Sequence, residues 1–340
     1  MFHKLGIRNQ LDYPVELFIN KSPKISIVEQ ANIVIDNYIG PETGSSVSFS
    51  KIESLVKAAS EAVERRCSML GASNDKNPED YIETWELINS TKGSIKQKHT
   101  RLLHGSTDTT ATAVHSNSQI AICNALKELF EKNSLFLFWY GFVGNKVPLN
   151  YFEKNEYYIF LKQSGFNTIV FINDFFKPLL TVIIIAYKEN DQFICGLGTN
   201  TSFEKAIKHA FEEAFLIGYM HYYASLFGIK PDENGWSSPE KIKHVKNLQE
   251  LEYAEIESYV SCDITVNSLL SNLPAFISEL HLVYIEQSLN PSLKCVRVYS
   301  KDLINCLPLK NSIDLSSSIN QNTIRLNKII LKELPECPMS

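Results

Sequence analysis

Three stretches of the chain repeat one arrangement: a run of Gly, Ser, Thr and other small residues, then a helix start, then carboxylates further along the helix. They are Pro41 to Cys67, Ser106 to Asn133 and Cys195 to Leu216. Each holds an S/T-x-x-E/Q box, Ser50 with Glu53, Ser116 with Gln119 and Thr201 with Glu204, in which side chains satisfy the free amides of a helix N-terminus. The spacing therefore predicts three helices, each preceded by a small-residue loop. Downstream lie Glu61 and Glu64, Glu128 and Glu131, Glu212 and Glu213. Residues three or four apart share a helix face, so Glu61, Glu64 and Arg65 project together, as do Asn124, Glu128 and Glu131.

Glu at such spacing is ordinary on a solvated helix face. Repetition argues against that reading here, and so does the setting: Glu128 and Glu131 sit within ALKELFEKNSLFLFWYGF, and Ala59, Ala62, Val63 and Cys67 crowd the first pair. Carboxylates gathered among apolar groups repel one another and lose solvation, so they need protons, cationic partners or metal ions. Mg²⁺ prefers hard oxygen ligands and commonly bridges a few carboxylates to nucleotide phosphates. The pattern points to an ATP site without a P-loop: no GxxxxGK[ST] occurs, and Gly196-Leu197-Gly198 is too short for a GxGxxG turn.

At these residues the chain resembles the YcaO family of ATP-dependent enzymes that activate peptide backbone amides. Ser60-Glu61-Ala62-Val63-Glu64-Arg65 resembles the family's SExxER, Asn124 to Glu131 its NxxxExxE, and Gly196 to Ala214 its glycine turn followed by a helix ending in an EA pair. The chain is most similar to the cyclodehydratase subunits of microcin B-type thiazole/oxazole synthetases, over about Ser45 to Arg297. The resemblance implies that Glu61, Glu64, Glu128 and Glu131 hold Mg²⁺ against the triphosphate of ATP. It further implies that Arg65 contacts phosphate, Asn124 orients nucleotide or metal, and Glu213 completes the acid cluster.

Departures from the family pattern fall at Lys132, where a guanidinium is usual, and at Leu216, where an amide is usual. Lys132 remains a phosphate-holding candidate. Cyclodehydrating members end in a PxPxP tail that reaches the site; this chain ends Leu334-Pro335-Glu336-Cys337-Pro338-Met339-Ser340, which leaves the terminal carboxylate of Ser340 as a catalytic candidate on resemblance alone. His115, at the mouth of the second helix, is a further phosphate candidate because helix N-termini favour anions. Arg297 lies in a segment similar to a family strand and is placed as a phosphate or substrate contact.

Composition agrees with a cytoplasmic enzyme. With 340 residues, 44% of them hydrophobic, the chain can bury a large core, and the three motifs span it, so one composite domain is expected, with its motifs over about 45–300 and a tail segment over 301–340. Seven cysteines without a C-x-x-C pair argue against a disulfide framework or zinc ribbon. No signal-like leader is read at the start, and the longest apolar run, Leu179 to Tyr187, is strand length, so no membrane partner is expected. A net charge of −5 gives no reason to expect nucleic acid. The basic run Lys92 to Arg101 reads as a loop or hairpin, and Asn74 to Asp80 and Lys230 to Pro239 as surface loops.

Strands are predicted over Asn167 to Asn173, Thr181 to Lys188 with a hairpin return at Phe193-Ile194, Leu280 to Ile285 and Lys294 to Tyr299. The fold class expected is α/β, in mixed α+β layers, with mixed or antiparallel sheets flanked by helices and the ATP site between helices. The resemblance implies an ATP- and Mg²⁺-dependent cyclodehydratase that forms thiazoline or oxazoline in a ribosomally made peptide. The partners it implies are a precursor peptide with its leader, a separate leader-binding subunit and a flavin-dependent dehydrogenase, and it is compatible with a homodimer. Thioamide or amidine formation, and a non-catalytic nucleotide-binding scaffold subunit, are the alternatives. The Lys132 and Leu216 departures favour the scaffold, and retention of the four acids opposes it.

Overall fold

A computed structural model describes residues 23–29, 34–35, 38–39, 43–70, 77–100, 108–188, 192–226, 238–259, 261–285 and 292–338. The strands are β1 (Lys24–Glu29), β2 (Val34–Ile35), β3 (Tyr38–Ile39), β4 (Thr43–Ser48), β5 (Tyr81–Glu86), β6 (Thr91–Lys96), β7 (Thr112–His115), β8 (Asn145–Lys146), β9 (Asn167–Asn173), β10 (Leu180–Tyr187), β11 (Phe193–Asn200), β12 (His281–Ile285) and β13 (Lys294–Tyr299). The helices are α1 (Lys51–Leu70), α2 (Ser118–Gly141), α3 (Glu156–Gln163), α4 (Phe203–Leu226), α5 (Pro239–Leu248), α6 (Val266–Leu270), α7 (Ser318–Asn322) and α8 (Lys328–Glu333). The predicted strands are present, and the mixed α/β class with antiparallel sheets is observed.

Two sheets organise the molecule, one ordered β11-β10-β9-β8 and one ordered β6-β5-β12-β13-β7, and every strand pair in them is antiparallel. Helix α2 lies between them. Its second half, from Lys132 to Tyr140, is buried at every position, as expected of a helix that is apolar all round. Strand β10 explains how two layers form on one sheet. Ile183, Ile185 and Tyr187 face α2, while Val182, Ile184 and Ala186 face α4, so a strand buried on both faces reads as one unbroken apolar run. On the five-stranded sheet, Val296 and Val298 pack toward α2, whereas Cys295 joins Cys67 and Val63 of α1 on the other face.

The small-residue segments before the three helices are strands, not loops: β4, β7 and β11 respectively. Close packing is the reason. A Cβ on Gly44 of β4 would lie 2.2 Å from the Ala58 carbonyl oxygen and 2.4 Å from the Ala62 nitrogen of α1. A Cβ on Gly196 of β11 would lie 2.3 Å from the Ala210 carbonyl oxygen and 2.6 Å from the Ala214 nitrogen of α4. Gly196-Leu197-Gly198, expected as a turn, is therefore mid-strand, with its glycines letting a helix lie directly on the backbone.

All three helix starts also differ from the expected boxes. Ser50 caps α1, accepting from the Glu53 amide at 3.3 Å, but the Glu53 carboxylate accepts from Ser48 instead of returning to Ser50. For α2 the cap is Asn117, one residue past Ser116, accepting from the Ile120 amide at 3.2 Å. For α4 it is Ser202, since the Thr201 hydroxyl is spent on the Cys262 carbonyl. The basic run Lys92 to Thr100 forms β6 and one 3₁₀ turn, with Lys96 and Lys98 both paired to Glu79; Arg101 lies outside the described residues. So do 74–76 and 230–237 of the two expected surface loops, and 189–191 of the expected hairpin turn.

Residues 302–337 run back along α2. Asn133 donates to the Ile304 carbonyl and accepts its amide, Trp139 Nε1 donates to the Pro335 carbonyl, and Tyr140 donates to the Pro308 carbonyl. Among the described residues no helix is long and apolar enough to cross a membrane.

Candidate active site

A cavity of about 370 Å³ opens where α1, β7 and the first half of α2 meet, lined by Val56, Lys57, Ser60, Glu61, Glu64, Thr112, Ala113, Val114, His115, Asn124 and Glu128. Five of the residues predicted from sequence thus line one space: Glu61 and Glu64 from α1, Asn124 and Glu128 from α2, and His115 from the end of β7. The turn after β7 holds the imidazole of His115, whose Nδ1 accepts from the Asn117 amide at 2.9 Å.

Glu61 is held from two sides. Its Oε2 accepts the Ser45 amide at 2.7 Å, and its Oε1 pairs with Arg65 at 2.6 Å, while Arg65 also donates to the Thr43 carbonyl. On α4, Glu213 accepts the Leu197 amide in the same way. The likeness is systematic: Gly44 with Ser45, Ala58, Glu61 and Ala62 correspond to Gly196 with Leu197, Ala210, Glu213 and Ala214, each pair separated by the same stretch of chain. Two of the three related segments are therefore one strand-and-helix unit used twice, each delivering one acid fixed by a strand amide.

Electrostatics joins the acids into one group. Burial raises the Glu64 carboxyl well above its ordinary value, and Glu128 and Glu61 raise it further. Burial pushes Glu128 up to about 8, with Lys132 opposing and Glu131 adding to the rise. Burial likewise lifts Glu213 to about 7, against Lys132 and with Glu131 and Glu61, and it raises Glu61 against Arg65 and the Ser45 amide. Lys132 sits among them, 3.8 Å from Glu131; burial works against its charge, but Glu213, Glu131, Glu128 and Asp108 together raise its affinity for the proton. The Lys that replaces the expected guanidinium is thus a counter-ion inside the cluster.

Arg297 lies on β13 directly across from Thr112 of β7 and is 1% exposed. Burial lowers its affinity for the proton, and Asp108 and Glu128 oppose that. Neither Nη1 nor Nη2 has a hydrogen-bond partner among the described residues. Ser340 lies outside the described residues, but the tail brings the fully buried Cys337 within electrostatic reach of Lys132. Glu212 is engaged differently from its neighbour: it pairs with Lys57, which lines the cavity, at 3.1 Å and with Lys208 at 3.6 Å.

Sequence reasoning missed Asp108 and Thr112. Asp108 faces Glu128, Lys132 and Arg297, and its own oxygens are taken by the amides of Thr110 and Leu307. No periodic signal marks either residue.

The donor set fits Mg²⁺ and a polyphosphate. Hard carboxylate oxygens whose burial favours protonation gain from a dication, and a buried guanidinium whose Nη1 and Nη2 have no hydrogen-bond partner among the described residues suits an anion. Among the described residues no three His, Cys, Asp or Glu side chains close in tightly enough to cage an ion alone. These acids would hold Mg²⁺ together with the nucleotide phosphates that share it, the way Mg²⁺ commonly binds.

Residues 95–261, just under half of the chain, match the family model described as YcaO cyclodehydratase, ATP- and Mg²⁺-binding. No curated protein sequence matches. Among solved structures, YcaO from Methanopyrus kandleri bound with AMPPCP and Mg²⁺ is 15% identical with a TM-score of 0.65, over 84% of each chain. A chain of the E. coli microcin synthetase McbBCD complex is 15% identical with a TM-score of 0.68, over 96% of this chain and 99% of that one. The same synthetase with pro-MccB17 bound gives 16% identity and a TM-score of 0.66, over 91% and 96%. At such identities these structures establish the shared fold.

Proposed function

Because the chain carries a YcaO domain, we propose that it is an ATP- and Mg²⁺-dependent peptide cyclodehydratase, acting on a ribosomally made precursor peptide. The observation that carries the reading is the cavity in which Glu64 of α1 and Glu128 of α2 share one space, both driven toward protonation by burial. Such acids are poor neighbours for each other and good neighbours for a metal.

In the proposed reaction a Cys, Ser or Thr side chain of the peptide attacks the preceding amide carbonyl. The carbonyl oxygen takes the terminal phosphoryl of ATP, and departure of phosphate, with loss of the amide proton, leaves a thiazoline or oxazoline. Glu61, Glu64, Glu128 and Glu131 would hold Mg²⁺, which neutralises phosphoryl charge. Asn124 and His115 line the space for the nucleotide, and Arg65 and Lys132 keep the acids oriented while adding positive charge. Arg297, across the sheet ladder from the cavity-lining Thr112, would add positive charge toward the phosphate.

A separate leader-binding subunit presents the peptide in this reading, and a flavin-dependent dehydrogenase acts on the azoline afterwards. The full-length structural match to a chain of a multi-subunit synthetase supports the first of these. Thioamide or amidine formation is the second reading. Mass spectrometry of a precursor peptide incubated with the chain, its partner subunit and MgATP separates them. Azoline formation removes one water per ring with one ADP and one phosphate released, whereas thioamide formation exchanges oxygen for sulfur; amidine formation also removes one water, and fragmentation distinguishes it by the amine it consumes in place of a Cys, Ser or Thr side chain. An unmodified peptide with no ATP consumed by the complete mixture contradicts both.

A further inference from the structure

Two buried polar groups with unspent hydrogen-bonding capacity stand at the cavity, Thr112 on its lining and Arg297 across the β7–β13 ladder from it. Thr112 lines the cavity, is 1% exposed, and its Oγ1 has no partner among the described residues. Arg297, its direct partner across the β7–β13 ladder, is equally buried and leaves Nη1 and Nη2 unpartnered. Directly opposed residues in an antiparallel pair point to the same face, so both side chains leave the sheet on one side. Leaving such donors dry and unpaired is costly, and a fold that does so twice at one point keeps them for something that binds there.

Nearby protein groups do not supply the missing acceptor. Asp108 is in electrostatic reach of Arg297, but both of its oxygens already accept backbone amides, from Thr110 at 2.8 Å and Leu307 at 2.7 Å. Glu128 lines the same cavity and makes no hydrogen bond to the guanidinium.

We propose that Thr112 and Arg297 form a cradle for one anionic oxygen, and that in the working enzyme this oxygen belongs to the terminal phosphoryl group of the nucleotide. The assignment rests on the nucleotide reading of the site given above. Glu64 and Glu128 line the same cavity with hard oxygen donors, which favours a ligand that carries a metal ion, as the terminal phosphoryl of a Mg²⁺-bound nucleotide does. Guanidinium and hydroxyl donors to phosphate are charge-assisted, and Arg is suited to planar, two-pronged contact. Thr112 is then a binding residue that reports whether the terminal phosphoryl is present.

The test is titration calorimetry of the full-length chain, with its partner subunit, against MgATP and MgADP. Thr112→Val keeps the shape and removes the hydroxyl. It should weaken MgATP by about tenfold, leave MgADP unchanged, and leave the melting temperature equal or raised, because an unsatisfied buried hydroxyl has been removed. Thr112→Ser should restore MgATP affinity. Equal loss for both nucleotides, or unchanged MgATP affinity in folded Thr112→Val, overturns the cradle. If Thr112→Val does not fold, Thr112→Ala takes its place with the same expected ratio. Wild-type protein that binds neither nucleotide removes the underlying nucleotide reading instead, an outcome distinct from a change in the ATP to ADP ratio.

Discussion

The backbone amide of Ser45 donates to Oε2 of Glu61 at 2.7 Å, across the contact where α1 lies on β4. Leu197 and Glu213 repeat this relationship where α4 lies on β11. In both, the residue before the donor is a glycine with no room for a side chain, so the distance from strand to acid is set by backbone against backbone. A carboxylate placed this way keeps its position when the charge around it changes, which is what a metal-binding acid requires.

Gly44→Ala and Gly196→Ala should therefore behave alike. Each would push a helix off its strand, costing upwards of about 2 kcal/mol by overpacking and disturbing the acid it carries. Chemical denaturation and Mg²⁺-dependent nucleotide binding, measured on both variants, check this. A variant as stable as wild type at either position would mean that the helix has freedom to slide.

Glu128→Gln keeps shape and removes charge. Turnover should fall by at least about 100-fold, as when a group that stabilises transition-state charge is lost. The free protein should be no less stable, since burial already favours the uncharged form of Glu128 and Gln is uncharged. Steady-state rates and a thermal melt together decide. Near wild-type rates would make the acid structural.

The acids also set a pH dependence. Glu128 and Glu213 titrate at about 8 and about 7 in the fold, above their ordinary 4.5, so the folded chain binds more protons than the unfolded one across that interval. Their contribution to stability is full below the unfolded value and is lost as pH rises through about 7 to 8. The ligand-free protein should melt several degrees lower at about pH 8.5 than at about pH 5.5, and added MgATP should narrow the gap, because the metal replaces the protons. Melting curves at the two pH values, with and without MgATP, test it. A free protein that grows more stable over this range would contradict the burial of these carboxyls.

Much of the site was legible because acids at helical spacing project from one face whatever the rest of the chain does. Glu61, Glu64, Asn124 and Glu128 line one cavity as that spacing implies. The glycines misled: Gly196 and Gly198 signal a turn in isolation, yet serve helix-on-strand contact in a fully buried β11, a tertiary requirement that local sequence does not encode. The caps at Asn117 and Ser202 differ by one residue from the expected boxes, because neighbouring Ser, Thr and Asn compete for the same amides. Thr112 and Asp108 were invisible because their importance comes from what lies across the sheet or on another segment, Arg297 for one and Leu307 for the other.

The central claim is that buried acids from α1, α2 and α4 form a Mg²⁺-dependent nucleotide site. The most direct measurement is titration calorimetry of ATP into the chain with its partner subunit, in the presence and absence of Mg²⁺. Saturable heat that requires Mg²⁺ and disappears in Glu64→Gln is the predicted result; equal and negligible heats under both conditions would contradict it.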